Sequence, residues 1–263
     1  ESNYPNFVRL LEHLKVESKK TRMGFSVRCA ASGIEYSGES LYGLFGAKKN
    51  IIDFKHWGMV RDIFRFHSLA KRNLKSQSSV EDFLSKHRFS NRFRDAFLLP
   101  LGSALWSCST ARFGKFPMEF VFDFLSNHKM LQSFDRPVWR VLKDGSRTYV
   151  DEMVKEIGNR LHLNTPVKKV FRTKTGINVD LPDGTMATFD EIILACHADQ
   201  SLKMIDSPLA EEKALLESFP YEENLVSLHS DDSLLPKRSS ARASWNAYLP
   251  ESHSSKATVT YDM

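Results

Sequence analysis

Histidine and cysteine are the residues of this chain whose side chains are suited to acid–base, redox or metal chemistry. The nine histidines include no H-E-x-x-H motif and no close pair, so we expect no metal site. Cys29, Cys108 and Cys196 are isolated from one another, which fits neither a zinc site nor a disulfide framework and favours a reducing, cytoplasmic compartment. His229 could act as a general acid or base near neutral pH, and a purely structural histidine is the alternative.

A different chemistry is indicated by the order of elements between Leu163 and Asp199. The pattern predicts a strand after Val167, a second strand at 176–181, and a buried strand at 191–195 that runs into Cys196-His197. Many flavoproteins build the distal side of their FAD site in this order. The chain contains no G-x-G-x-x-G phosphate-binding motif. We therefore expect part of a Rossmann-like domain within a longer protein, with a self-sufficient domain as the alternative.

Helices and further strands must position these residues. Apolar spacing predicts an amphipathic helix at 3–16 and a mainly helical region at 49–131, whose first helix is either continuous or broken near Gly58. Within that region Leu99–Trp106 either lines a pocket or packs closely without a ligand. Further segments with strand patterns lie at 24–28, 33–38, 138–142, 225–229, 243–247 and 257–261, and a helix is predicted at 149–161. The fold class is therefore mixed α/β.

Composition indicates a folded protein with a mild preference for anionic partners. The chain is 41% hydrophobic and 26% charged, with a formal net charge of +5. Lys48-Lys49 and Lys71-Arg72, with Lys75, flank a helix rich in tryptophan and phenylalanine. That surface could meet acidic lipid or nucleic acid, and an ordinary solvated helix face is the alternative. No apolar run reaches the roughly 18 residues needed to span a bilayer.

Short motifs throughout the chain match a known family. They are Tyr4–Phe7, Met23–Val27, Gly33–Gly38, Leu98–Gly102, Trp139–Val141, Gly145–Tyr149, Leu163–Val167, Ala195–Gln200 and Ala243–Asn246. In these motifs the chain resembles the flavin-containing amine oxidoreductase superfamily, and more closely its branch of NAD/FAD-binding proteins encoded beside cyclopropane-fatty-acid synthases. The resemblance spans essentially the whole chain.

The resemblance implies an amine-oxidase-like architecture in which a partial FAD-binding domain is interleaved with a substrate domain of helices and a mixed sheet. Residues 1–135 correspond to substrate-domain strands and helices, 136–206 to the middle of the FAD-binding domain, and 207–263 to a truncated part of the substrate-domain sheet. By the same comparison, the glycine loop and the segment that meets the ribityl chain lie outside this sequence. The implied cofactor is FAD, and this piece alone is expected to bind it poorly.

The resemblance also implies roles for particular residues. Val167 matches a position whose backbone clasps adenine, Gly145-Ser146-Arg147 matches a turn before a cofactor-facing helix, and Ala195-Cys196-His197 matches a strand end facing the pyrophosphate. Trp245-Asn246 matches a strand that approaches the flavin. Alternatively, Val167 is an ordinary strand residue, Arg147 lies on the surface and Trp245 is a core residue. For Cys196 a core residue is favoured over a redox thiol.

Two function classes follow. The first is an FAD-dependent oxidoreductase that abstracts hydride from a small-molecule or lipid-like substrate. Relatives often carry a catalytic lysine after a tyrosine matching Tyr221, but Asn224 or Leu225 stands there, so amine oxidation cannot be carried over from the resemblance. The second is a non-catalytic module that binds a membrane surface or another protein. Nucleic-acid binding is not expected, because the basic residues are not clustered as in phosphate-binding proteins.

Overall fold

A computed structural model describes residues 3–45, 47–72, 75–132, 137–221, 223–250 and 258–262. The chain forms two compact units. Unit 1 contains Glu1–Tyr149 and Leu228–Met263, and unit 2 contains Val150–Ser227. Helices and sheets are mixed in sequence, as the predicted α/β class requires.

Unit 1 is mostly helical between residues 41 and 127. Its helices are α1 Pro5–His13, α2 Leu41–Phe45, α3 Lys48–Ile52, α4 Phe54–Arg72, α5 Val80–Lys86, α6 Asn91–Phe93, α7 Leu99–Trp106, α8 Thr110–Gly114 and α9 Met118–Asn127, and a π-helical turn, Arg94–Leu98, joins α6 to α7. Serine side chains begin α5, α6 and α8: Ser79, Ser90 and Ser109 each accept a hydrogen bond from a first-turn backbone N–H.

Aromatic side chains fill the core between these helices. Phe66 of α4 packs its ring against Phe83, Phe93 and Phe122, with ring centroids 5.5–6.5 Å apart. All four side chains are buried. In α7, a Cβ added at Gly102 would lie 2.2 Å from the ring of Phe113. The segment Leu99–Trp106 is thus a closely packed helix, the second of its two predicted alternatives.

Two sheets complete unit 1. Strand β1 (Ser18–Thr21) pairs antiparallel with β4 (Trp139–Leu142). The larger sheet has the order β3-β2-β8-β9, formed by Ile34–Ser37, Phe25–Cys29, Trp245–Leu249 and Thr258–Tyr261. Its central pair, β2 and β8, is parallel, with Phe25 opposite Trp245. Residues more than 200 positions apart therefore share the centre of this sheet.

Unit 2 is built on a three-stranded antiparallel sheet. Its elements are β5 Lys169–Thr173, β6 Gly176–Asp180, β7 Met186–Phe189, α11 Ala198–Met204 and α12 Ala210–Glu217, and α10 (Arg147–Ile157) precedes them. Within the described part of the chain, the buried hydrophobic residues of this unit are Val170 and Val179. Its core is accordingly small.

Two predicted strands are wrong. The segments 191–195 and 225–229 are extended or irregular chain without strand pairing. Leu225 is 99% exposed and the whole of 225–229 is exposed, whereas in 191–195 Ile193 is 91% exposed and its neighbours Ile192 and Leu194 are half-buried. An alternating or apolar sequence becomes a strand only when a second strand satisfies its backbone hydrogen bonds. Conversely, the polar β1 and the short β7 were not predicted.

Candidate functional site

The adenine-clasping position, Val167, lies in an extended segment that leads into β5. Its side chain is half-buried. The neighbouring Lys168 N–H donates to the Asp180 carbonyl at 3.0 Å, which fixes the segment against β6. Among the described residues, no hydrogen bond involves the N–H or C=O of Val167. The N–H donor and the C=O acceptor of Val167 therefore lie next to each other on a segment that the Lys168 hydrogen bond fixes.

The positions predicted to face the pyrophosphate, Ala195, Cys196 and His197, connect the extended segment 191–195 to α11. All three are exposed. The expectation that Cys196 is a core residue is therefore wrong, because its side chain is exposed among the described residues. Its Sγ lies 3.2 Å from the hydroxyl of Ser201. The backbone N–H and C=O groups of Ile192–Cys196 make no hydrogen bond with any described residue.

Tyr221 holds the start of α11. Its ring stacks on His197 with centroids 4.2 Å apart and planes 12° from parallel, and its hydroxyl accepts a hydrogen bond from the Ala198 N–H at 2.7 Å. Asp199 follows, with one carboxylate oxygen 3.8 Å from the His197 Nδ1. Tyr221 and Asp199 were not among the predicted site residues, since no local pattern links a tyrosine to a helix start 23 residues earlier.

Gly145, Ser146 and Arg147 form the predicted turn between a strand and a helix. Asp144 and Gly145 have positive φ angles of 62° and 87°, and Arg147 is the first residue of α10. A Cβ added at Gly145 would meet no atom within 4 Å, so the glycine meets a backbone requirement and not a packing one. The carbonyl of Gly145 accepts hydrogen bonds from both the N–H and the hydroxyl of Thr148.

Trp245 and Asn246 lie in β8 at the centre of the larger sheet of unit 1. Trp245 is half-buried, with its ring edge-to-face against Tyr261. Asn246 is 1% exposed. Its Oδ1 accepts from the Ser26 hydroxyl at 2.7 Å and from the Ala243 N–H at 3.0 Å, and its Nδ2 donates to the carbonyls of Ala243 and Thr260. The amide is therefore fully occupied within the sheet.

His229 lies in unit 1, on an exposed irregular segment. Its Nδ1 accepts a hydrogen bond from the Asp231 N–H at 3.1 Å. The strand predicted to carry it is absent, and its role as an acid or base stays a prediction. The described histidines, cysteines, aspartates and glutamates include no group of three or more that could hold a metal ion.

The accessible backbone of unit 2 fits a flavin nucleotide. At Val167 and Ile192–Cys196 the backbone N–H and C=O groups have no hydrogen-bond partner among the described residues, and both segments are at least partly accessible to solvent. Small side chains at Ala195 and Cys196 leave the backbone approachable. These are the properties needed to bind the edge of an adenine and the oxygens of a diphosphate.

Comparison with known proteins agrees with this reading. The family model described as flavin containing amine oxidoreductase matches residues 3–225. The fold is similar to that of wild-type putrescine oxidase bound to putrescine, with a TM-score of 0.56 and 16% identity over 81% of this chain and 50% of that one. It is also similar to a fatty acid isomerase from P. acnes that produces CLA, with a TM-score of 0.54 and 11% identity over 81% and 49%. The chain thus spans about half the length of these structures. No curated protein matches it in sequence.

Among the described residues, none of the helices combines the length and apolarity required to cross a membrane. The three cysteines are free thiols. The cytoplasmic location inferred from cysteine usage stays a prediction.

Proposed function

Because the chain belongs to the flavin containing amine oxidoreductase family, we propose that it forms part of an FAD-dependent oxidoreductase. The observation that carries this proposal is the family match over residues 3–225, which includes both segments with unpaired backbone in unit 2. When bound, the flavin supplies the redox chemistry, namely removal of hydride from a C–N or C–C bond. The protein supplies orientation and excludes water.

In this proposal the N–H and C=O of Val167 pair with the adenine edge. Ala195, Cys196 and His197 approach the diphosphate through their backbone, and the stacked ring of Tyr221 keeps His197 and the start of α11 in place. Gly145-Ser146-Arg147 forms the turn before the helix that packs near the cofactor. We further propose that residues 136–206 belong to the FAD-binding domain and that the flanking residues belong to the substrate domain.

We propose a lipid-like substrate. The two fold neighbours act on chemically different compounds, since one binds putrescine and the other isomerises a fatty acid, so the fold itself accommodates an apolar chain. Asn224 or Leu225 at the position of the catalytic lysine argues against amine oxidation.

The role of Val167 can be tested by FAD titration, followed by quenching of flavin fluorescence. Val167→Pro removes an N–H that has no partner in the described chain, so folding loses no hydrogen bond. Losing one hydrogen bond to the cofactor should raise the dissociation constant about 2- to 10-fold. Val167→Ala is the matched control, because it keeps the backbone and changes only the side chain.

Equal affinity of the two variants would show that Val167 does not bind the cofactor through its N–H. The broader proposal is tested by the absorbance between about 350 and 500 nm of the protein purified from its native source. A flavin spectrum that bleaches anaerobically with fatty-acid or amine substrates supports an oxidoreductase. A protein that carries no flavin and takes up none at millimolar FAD contradicts it.

A further inference from the structure

One surface of unit 1 exposes large apolar side chains to an unusual degree. Ile52 is 78% exposed and Phe54 is 90% exposed at the junction of α3 and α4, and Trp57 and Phe64 continue along α4 at about half exposure. We call the exposed residues of 48–72 the α3–α4 surface. Single exposed apolar residues are ordinary, but a contiguous aromatic patch marks an interaction site.

The spacing along α4 makes this surface a continuous stripe. Phe54, Trp57, Arg61, Phe64, Ser68 and Lys71 are all exposed and recur every three or four residues. The opposite face, with Met59 and Phe66, is buried in the core. A helix of 19 residues is about 28 Å long, so the stripe runs the length of a helix lying flat against a partner.

Trp57 is held in place although half of it is exposed. Its indole N–H donates to the Ile51 carbonyl at 2.8 Å, and its ring packs on Phe45 with centroids 4.5 Å apart. The polar edge of the indole is therefore satisfied within the protein, and the apolar part of the ring remains accessible. This ring can enter an interface without losing a hydrogen bond and with little loss of rotamer freedom.

The charges around the stripe have one sign. Between Lys48 and Arg72 seven side chains are basic and two are acidic. Of the acidic pair, Asp62 is buried, accepts a hydrogen bond from the Ser90 N–H and lies 3.5 Å from the Arg61 guanidinium, and Asp53 forms an ion pair with Arg92 at 3.4 Å. Neither carboxylate is paired with an exposed lysine. The surface therefore carries lysines at both ends, and exposed Arg61 stands among its aromatic residues.

A basic depression lies at the carboxyl end of α4. It has a volume of about 380 Å³ and is lined by Arg72, Lys75, Ser76, Gln77, Ser78 and Lys86. Three cations and two hydroxyl groups in one shallow basin match the charge and hydrogen-bonding needs of a phosphate group. The other end of the stripe carries Lys48 and Lys49, so basic residues stand at both ends.

We propose that the α3–α4 surface binds the surface of an anionic lipid bilayer, with α4 parallel to it. Phe54 and Ile52 enter the boundary between headgroups and acyl chains, Trp57 lies at headgroup level, and the basic residues bind anionic headgroups. Charge complementarity selects this partner. The basic residues match the anionic headgroups of the bilayer, and the exposed aromatic residues match the apolar region beneath the headgroups. This inference does not depend on the flavin.

The test is co-sedimentation of the chain with vesicles of phosphatidylcholine containing about 30% phosphatidylserine, compared with phosphatidylcholine alone. We expect binding to the anionic vesicles and at least tenfold weaker binding to the neutral ones. Lys48→Glu/Lys49→Glu should lower the partition coefficient at least tenfold, and Ile52→Ser/Phe54→Ser should lower it about tenfold. Tryptophan emission should shift to the blue on binding, and Trp57→Phe should abolish the shift.

Matched variants separate this surface from general charge or apolarity. Lys19→Glu/Lys20→Glu makes the same charge change on the exposed β1, Leu163→Ser/Leu209→Ser removes comparable exposed apolar groups, and Trp139→Phe removes another tryptophan. These should bind like the parent chain. Equal binding to both vesicle types, equal losses in the control variants, or sensitivity to the charge variants alone would overturn the proposal. The last outcome would indicate that the basic residues bind anionic headgroups without insertion of the apolar side chains.

Discussion

Replacing Asn246 by alanine should destabilise unit 1 strongly. The side chain is 1% exposed and makes four hydrogen bonds, two accepted and two donated. Alanine leaves the buried Ser26 hydroxyl and the Ala243 N–H without that acceptor, and a buried unpaired polar group costs about 1–3 kcal/mol. Local relaxation recovers part of this, so we expect a loss of about 2–4 kcal/mol in the free energy of unfolding. For a domain of this size that lowers Tm by about 4–16 °C.

The measurement is urea unfolding followed by tryptophan fluorescence, in buffer without flavin. Ser26→Ala removes one of the four hydrogen bonds and should cost about 1 kcal/mol. Asn127→Ala, at an exposed helix end, should change stability by less than about 0.5 kcal/mol. If Asn246→Ala unfolds at the parent midpoint, the hydrogen-bond network does not stabilise the sheet. If it does so while weakening FAD binding, Asn246 is a cofactor residue, as first expected.

Two further predictions concern packing and pH. Gly102→Ala should lower the free energy of unfolding by about 1–3 kcal/mol, because the added Cβ would overlap the Phe113 ring. Gly58→Ala, in open space on α4, should raise it by about 0.5–1 kcal/mol. Equal urea midpoints for the two variants would contradict both expectations. Burial lowers the pKa of His56 below its ordinary 6.5, so the unfolded chain binds a proton that the folded chain does not, and stability should fall as pH drops below 6.5. His56→Gln, whose amide can still donate to the Leu44 carbonyl, should reduce that fall between about pH 7.5 and 5.5; an unchanged pH dependence would exclude His56 as its source.

Most helices were predicted from the sequence, because apolar spacing and capping residues are local properties. The helical region predicted at 49–131 contains α4 to α9, and at the start of α5 Ser79 accepts a hydrogen bond from the Asp82 N–H, the role that serine often takes at a helix start. The first helix was predicted to be continuous or broken near Gly58, but the break lies at Asp53, whose carboxylate accepts a hydrogen bond from the Lys55 N–H at 2.8 Å. The Asp53 side chain accepts a hydrogen bond at the start of α4, which favours a helix start there. Gly58 is tolerated inside the helix and does not break it.

The candidate site was predicted less completely. The turn at Gly145 and the extended chain that leads to Val167 follow from local sequence, since glycine permits a positive φ angle and proline favours extended backbone before it. The stacking of Tyr221 on His197 and the hydrogen bonds that occupy Asn246 join residues distant in sequence. A local sequence pattern does not link residues that lie far apart in the chain, so these contacts could not be predicted.

By itself the sequence determined the mixed α/β class, most helices, the family, and the basic and aromatic composition of α3 and α4. Tertiary structure alone decided which extended segments become strands. The polar Ser18–Thr21 pairs with β4, and β2 pairs with β8 across more than 200 residues, while the apolar segment 191–195 stays unpaired. The physical reason is that a helix satisfies its hydrogen bonds within itself, whereas a strand needs a partner from elsewhere in the fold.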